Sequence, residues 1–156
     1  SGSTQNRLRL IGSDRSNAVV NVEDGVVTTN TAVSGSPMPE VKAAAYLNNF
    51  RGSTITSLLV IDRANSALSV QNISDTVATQ GTLTRLSALG ITLDPLSPVG
   101  FDASGRNNEN QLLMARTSSS GNFSLYRVNS AVNSNPLTLI DAIASSSEFI
   151  DIAIRF

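Results

Sequence analysis

Short apolar segments with a period of two residues recur along the chain and are separated by turn-forming residues. Near the end of the chain, Ile150, Ile152 and Ile154 alternate with other residue types, as expected for one face of a strand. Two near-continuous apolar runs, 58–61 and 112–114, are typical of strands buried on both faces. Short strands at this regular spacing predict an all-β fold.

Clusters of Gly, Asn, Asp and Ser place the turns between these strands. Such residues supply the backbone conformations and local hydrogen bonds that tight turns need. In particular, Asp24-Gly25 predicts a hairpin, because Gly adopts positive φ without steric cost. The predicted turns lie at 23–25, 63–66, 103–105, 118–122 and 133–136.

Two segments contain residues that also favour helices. Residues 39–45 combine a proline with three alanines, and residues 137–147 have a weak helical period. The first is short for a stable helix, and the second is flanked by Pro136 and a serine run. The sequence therefore predicts strands at 41–47 and after Pro136.

The predicted strands form a repeat of about 50 residues, the length of a four-stranded propeller blade. We predict a single all-β domain over 1–156, or part of a larger one, with propeller-like repeats of short antiparallel strands and about three blades, either closed or left open. The last complete unit comprises 99–103, 111–115, 124–128 and 137–140, and 149–153 opens the next. An earlier unit comprises 43–46, 57–61, 67–70 and 82–86, and 7–11 and 18–22 are the later strands of another.

Composition excludes several kinds of chemistry. The chain has no Cys and no His, so it has no disulfide, no cysteine nucleophile and no Ser-His-Asp triad. Its net charge is −1, whereas a nucleic-acid-binding protein needs a basic face. No apolar stretch is long enough to cross a bilayer. We therefore predict no catalytic residue, no cofactor, no metal and no nucleic-acid partner.

Several acidic and polar residues are candidate sites. The 102–110 segment has oxygen ligands at alternate positions, but it lacks the order of an EF-hand, and a polar hairpin loop is the expected structure. The segment Asn21 to Gly25 is expected to be a turn rather than a metal site. Asp62 and Asp141 each follow an apolar run and are expected to end strands by accepting hydrogen bonds in turns.

The aromatic residues and one asparagine pair are expected to have structural roles. Tyr46 and Tyr126 are predicted to pack with strand neighbours rather than to serve as platforms for sugars. The Asn48-Asn49 pair is predicted to form a turn. Aromatic residues make up only 4% of the chain, which is low for a lectin that binds by stacking.

The order of several motifs resembles a bacterial family known as domain of unknown function 4394. The most specific motifs are Ala-Ala-Tyr-x-Asn-Asn at 44–49, and Gly-Thr-Leu-Thr at 81–84 followed by Leu89-Gly90. The resemblance implies a propeller-like fold and an exported protein, and it implies no chemistry. Family members usually carry further repeats before the Arg-Leu-Arg-Leu segment, which are missing here. The resemblance rests on 6–10, 23–25, 43–50, 59–62, 81–84, 89–90, 100–102 and 125–128.

About three repeats are too few to close a ring, so they would leave strand edges open to pairing with another chain. We therefore expect a non-catalytic extracellular structural protein that self-associates through strand edges into a homo-oligomer or filament. The predicted strand at 149–156, and residues 1–6, are the candidates for pairing with a neighbouring copy. Two alternatives are an extracellular module that binds a glycan or another ligand, and a calcium-dependent propeller hydrolase.

Overall fold

The computed structural model describes residues 7–50, 53, 56–73, 80–104, 110–144, 149 and 151–153. All regular secondary structure in these residues is β-strand, which confirms the predicted all-β fold. The eleven strands are β1 (Arg7–Ile11), β2 (Asn17–Asn21), β3 (Val27–Thr29), β4 (Val41–Leu47), β5 (Ser57–Asp62), β6 (Ala67–Gln71), β7 (Leu83–Ala88), β8 (Gly100–Ser104), β9 (Asn110–Arg116), β10 (Phe123–Val128) and β11 (Leu137–Ile143).

The strands form three antiparallel sheets in which neighbours in the chain are also neighbours in the sheet. The first sheet has the order β1-β2-β3, the middle sheet β4-β5-β6-β7, and the last sheet β8-β9-β10-β11. None of the three closes on itself. Each sheet is thus built from hairpins between consecutive strands, the simplest antiparallel connection.

Both segments that contained helix-forming residues are strands, as predicted. β4 includes three consecutive alanines, and it pairs along its length with β5. Pairing and burial override the helix propensity of alanine, which is only a weak local preference. β5 is buried on both faces, as its continuous apolar sequence predicted.

The hydrophobic core lies between the middle and last sheets. Leu59 and Ile61 of β5 pack in one cluster with Phe101, Leu113 and Tyr126 of the last sheet. The opening strands of these two sheets, β4 and β8, contact each other. The connections that lead into them, 30–40 and 89–99, are equally long. The middle and last sheets therefore pack face to face, with their first strands together.

The outer edge of β7 is covered at both ends by segments from elsewhere in the chain. Ser34 forms a parallel bridge with Thr82, and Ser134 forms one with Ala88. The Ser34 amide donates to the Gly81 carbonyl at 3.0 Å, and the Leu83 amide donates to the Ser34 carbonyl at 2.8 Å. Because these bonds engage main-chain groups at the edge, they obstruct the addition of another strand to β7.

The predicted strand at 149–156 is wrong for the residues that the structure describes there, and 150 and 154–156 lie outside them. Phe149 and residues 151–153 are not in a strand. The Phe149 ring packs edge-to-face on Phe123, 5.5 Å between centroids, while Ile152 lies against Gly100. A regular strand would place positions 149 and 152 on opposite faces. Alternation alone does not make a strand, because a strand also needs a neighbour to bond with.

Candidate functional site

The first sheet is the part of the described structure in which packing is least complete. Its β2–β3 turn is the hairpin predicted from Asp24-Gly25, with Gly25 at φ 73°. The Asp24 carboxylate accepts a hydrogen bond from the Val26 amide at 2.9 Å. The Gly25 amide also donates to the Asn21 carbonyl at 2.8 Å, so this turn is a structural element, as predicted.

A cleft of about 1570 Å³ separates the first sheet from the middle sheet. The first sheet turns a mainly polar face toward it, which carries Arg9, Asn21 and Thr28. The opposite wall is formed by β4 and the start of β5, including Lys42 and Tyr46. The two sheets are therefore not joined by an apolar core of the kind that joins the middle and last sheets.

A short hydrogen-bond network crosses one part of the cleft. Arg9 Nε donates to the Tyr46 hydroxyl at 3.0 Å, and Arg9 Nη1 donates to Asn17 Oδ1 at 2.7 Å. Asn17 is buried, and its Nδ2 donates to the Thr31 carbonyl at 2.9 Å. These bonds hold β1, β2 and β4 together and give Tyr46 a structural contact.

The other face of the first sheet is apolar and faces solvent. Leu8 pairs with Val20, and Val20 pairs with Val27, so the three side chains form one row across the sheet. Leu8 is 54% exposed and Val27 is 59% exposed. Leu10, 48% exposed, lies on the same face next to Ala18. We call this surface the free face of the first sheet. A contiguous exposed apolar surface is a candidate interaction site.

The last sheet has an apolar face on the side away from the core. Gly100 pairs with Met114, and Met114 pairs with Leu125, so these positions form a row there. Beside this row, Phe123 is fully buried under Phe149, and the Arg116 guanidinium lies 4.7 Å from the Phe123 ring centroid. Gly100, Met114 and Phe123 are buried within the chain, so this face is covered. We call Phe149 with residues 151–153 the C-terminal segment, and it supplies part of that cover.

The two predicted strand-ending aspartates behave differently. Asp62 ends β5, is buried, and accepts bonds from the Glu40 amide at 3.0 Å and from Asn65 Nδ2 at 2.7 Å, which confirms its predicted role. Asp141 is exposed and lies inside β11, which continues to Ile143, so that prediction is wrong. The register shifts opposite Leu125, and the bulge carries the strand past Asp141.

The remaining candidates have the structural roles expected of them. Tyr126 is buried in the core cluster. Asn48 has φ 54° and accepts a bond from the Phe50 amide at 2.9 Å, so the predicted turn is confirmed. Among the residues described, no group of three or more acidic residues is placed to hold a metal ion. Residues 105–109 lie outside the description, so the predicted hairpin loop at 102–110 stays a prediction.

The clearest electrostatic feature lies at one end of the middle sheet, next to the start of β4 and the end of β5. Glu40 pairs with the guanidinium of Arg63, whose Nε donates to Oε2 at 2.8 Å, and with Lys42 Nζ at 3.1 Å. The hydrogen bond from Arg63, followed by that from Lys42, lowers the pKa of Glu40. Both partners stabilise the charged carboxylate, so the group is a paired anion rather than a proton donor.

Sequence reasoning missed the orientation of the first sheet. The alternation of Arg7, Leu8, Arg9 and Leu10 indicates that one face of β1 is apolar. It does not state which face turns inward, because that depends on which partner covers each side. The sequence therefore predicts that one face of the first sheet is apolar, but it does not predict that this face is turned to solvent.

Comparison with known proteins places the chain in a family but gives no relative with a known role. The family described as Domain of unknown function (DUF4394) matches residues 3–153. No curated protein matches the chain. No solved structure matches it either. The described residues include no helix that could cross a lipid bilayer.

Proposed function

Because the chain belongs to the DUF4394 family, whose description assigns no function, we propose one from its geometry. The protein is a non-catalytic structural protein. Its copies associate through the exposed strands of the first sheet into a homo-oligomer or a filament. The observation that carries this proposal is the apolar free face of that sheet, turned to solvent while the polar face lines the cleft.

The energetic argument starts from the side chains on the free face. Full burial of a Leu or Val side chain contributes about 1.5–3 kcal/mol. Leu8, Leu10 and Val27 are each about half exposed, so covering them releases roughly 1 kcal/mol apiece. Spread over a whole sheet face, this gain favours association, provided that the partner surface is complementary and already ordered.

The outer edge of β1 offers main-chain hydrogen-bonding groups to another strand. The Gly12 amide donates to the Ser16 carbonyl at 2.9 Å, and this bond determines which residues of β1 point their main-chain N–H and C=O groups toward β2. The main-chain groups of Leu8 and Leu10 then face β2, and those of Arg9 and Ile11 face away. Within the part of the chain described, β1 has a strand on one side only. An edge of this kind recruits another strand.

A propeller-like arrangement is the architecture we infer for the three sheets. Supporting it are the consecutive hairpins of each sheet, the contact between β4 and β8, and the equal connections that lead into those two strands. The low charge, the absence of cysteine and the wealth of Ser, Thr and Asn are compatible with an exported protein, and we propose an extracellular location. Low net charge also limits repulsion between copies.

Size-exclusion chromatography with light scattering tests the proposal. We expect a mass above that of one chain, increasing with concentration if the product is a filament. Val27→Lys places a charge on the free face and should shift the protein toward monomer. Thr28→Lys is the matched control, since Thr28 is the next residue of β3 and faces the cleft. A wild-type protein that stays monomeric at all concentrations would refute the proposal.

A second candidate function is an extracellular ligand-binding module, and the cleft favours it. Its walls combine polar side chains such as Asn21, Asn49 and Gln80 with the ring of Tyr46. Hydroxyl-rich ligands are bound by this combination of hydrogen-bonding groups and one aromatic surface. Glycan-array binding by a monomer that Tyr46→Ala abolishes would support this alternative. An absence of binding by the monomer would count against it.

A further inference from the structure

We propose that the cleft between the first and middle sheets binds an acidic oligosaccharide. Arg9 and Tyr46 hold a carboxylate of the sugar, and Gln80 accepts a hydrogen bond from one of its hydroxyl groups. This inference rests on the second candidate function, the ligand-binding module, and names the class of its ligand. It does not depend on self-association, which uses the other side of the first sheet.

Arg9 places a positive charge in the cleft in a fixed orientation. Its Nε and Nη1 groups donate to the Tyr46 hydroxyl and to Asn17 Oδ1. Asn17 is only 1% exposed and is itself held by the Thr31 carbonyl. The guanidinium is therefore oriented before a ligand arrives, so little conformational freedom is lost on binding.

Arg9 has no carboxylate partner in the part of the chain that the structure describes. The ion pairs found there join Glu40 to Arg63 and to Lys42. A guanidinium has five N–H groups, and Arg9 uses two hydrogen bonds to hold neutral side chains. Its remaining N–H groups are donors for a ligand. Because the guanidinium is charged, a carboxylate binds it more strongly than a neutral acceptor does.

The Tyr46 hydroxyl adds a donor beside this guanidinium. It accepts from Arg9 Nε at 3.0 Å, so its own hydrogen is left for a second partner. Among the described residues, that hydrogen has no acceptor. A ligand oxygen next to both groups accepts from the hydroxyl and from the guanidinium. Two neighbouring donors, one of them charged, favour an anion over a neutral group.

Gln80 supplies the opposite kind of group, an unpaired acceptor. It lines the same cleft, is only 9% exposed, and its Oε1 has no hydrogen-bond partner. Buried amide oxygens are nearly always bonded, because an unpaired one has lost its hydrogen bonds to water. A hydroxyl group of a ligand satisfies it. An acidic sugar carries a carboxylate and hydroxyl groups on one ring, so it meets both requirements of the cleft.

The size and charge of the cleft suit a chain of such sugars. Its volume of about 1570 Å³ exceeds the ~300–1,000 Å³ of pockets for small molecules. Arg7, Arg9 and Lys42 are among its described lining residues, together with the carboxylate of Asp24. Lys42 is paired with Glu40, so Arg9 is the better anchor. An excess of basic side chains in a cleft attracts an anionic ligand.

Isothermal titration calorimetry with oligogalacturonate tests the ligand class. The matched control ligand is its methyl ester, which keeps the hydroxyl groups and lacks the charge. We expect the acid to bind about ten-fold more tightly than the ester or better. Added salt should weaken the binding, because it screens the charges. Equal affinities of acid and ester would overturn the acidic ligand and leave the binding-module function standing.

Variants test the residues. Arg9→Gln should weaken binding of oligogalacturonate by about 10- to 100-fold, the usual effect of losing hydrogen bonds to a charged group. Arg9 also holds β1 to β4, so this variant can disturb the fold. Gln80→Leu avoids that difficulty, because it removes an unpaired buried amide. Its melting temperature should stay the same or rise, while its affinity should fall several-fold.

Ser87→Ala is the matched control for Gln80→Leu. Ser87 Oγ is also buried and unpaired, but Ser87 pairs with Leu68 of the core cluster and lies on the face turned away from the cleft. The control should therefore leave the affinity unchanged. Equal affinities of the Gln80→Leu and Ser87→Ala variants would overturn the role of Gln80 and, with it, the site.

The remaining outcomes separate this inference from the proposed functions. Polyglutamate that binds as tightly as oligogalacturonate would identify an acidic peptide as the ligand and overturn the sugar. A folded wild-type protein that binds neither oligogalacturonate nor alginate would overturn the inference and count against the binding module. Light scattering decides self-association separately, so a failure of the ligand leaves that proposal standing.

Discussion

Gly100 lies so close to Ile152 that no side chain fits between them. An added Cβ atom would be 2.7 Å from the Ile152 nitrogen and 3.0 Å from its Cγ2. The close approach explains a glycine in a buried strand, where glycine otherwise weakens the sheet. It also fixes the position of the C-terminal segment on the last sheet.

Replacing Gly100 by alanine should therefore displace that segment. We expect Gly100→Ala to lower the free energy of unfolding by about 1–3 kcal/mol, the usual cost of overpacking. Urea denaturation followed by circular dichroism measures the change. Gly121→Ala is the control, because nothing lies within 4 Å of a Cβ atom there. Equal stability of the two variants would contradict the close packing.

Asp62 and Asp141 look alike in the sequence and should respond differently to substitution. Asp62→Ala leaves the Glu40 amide and the Asn65 side chain without their acceptor in a buried place. The expected loss of stability is about 1–3 kcal/mol. Asp141→Ala, at an exposed position, should change it by roughly 0.5 kcal/mol or less. Thermal unfolding of the two variants side by side measures both, and a reversed order would contradict the assignment.

The Glu40 ion pair predicts a pH-dependent stability difference. Its pKa is lowered in the folded protein by Arg63 and then by Lys42, so the pair stabilises the fold above the ordinary pKa of 4.5. This contribution is lost as the pH falls through the lowered folded value. Glu40 is partly exposed, and an exposed pair contributes only about 0.2–1 kcal/mol.

Denaturation of wild type and Glu40→Gln between neutral and acid pH measures this difference. The variant should be less stable at neutral pH, and the gap should shrink under acid conditions. Glu23→Gln, in the exposed β2–β3 turn, controls for the loss of one negative charge. A gap that widens in acid would contradict the ion-pair assignment.

The strands and turns were predictable because their signals are local. Tight turns need particular residues, as at Gly25 and Asn48, and β5 shows in its sequence that it is buried on both faces. The grouping of strands into sheets also follows from their spacing, and the structure has three sheets at the predicted places.

Other features depend on partners distant in sequence, and the sequence does not specify them. The alternation from Ile150 to Phe156 predicted a strand, but the described part of that segment bonds to no neighbouring strand and packs Phe149 on Phe123 instead. The end of β11 depends on a bulge opposite Leu125. The direction of the free face depends on the polar contact between Arg9 and Tyr46.

The two bridges to β7 have a consequence for how the molecule melts. Ser34 belongs to the connection that leaves the first sheet, and Ser134 to a hairpin of the last sheet. Unfolding of the first sheet or of the last sheet therefore also breaks main-chain hydrogen bonds to β7 of the middle sheet. The three sheets should lose structure in one cooperative transition, with the amide protons of β5 among the last to exchange with solvent.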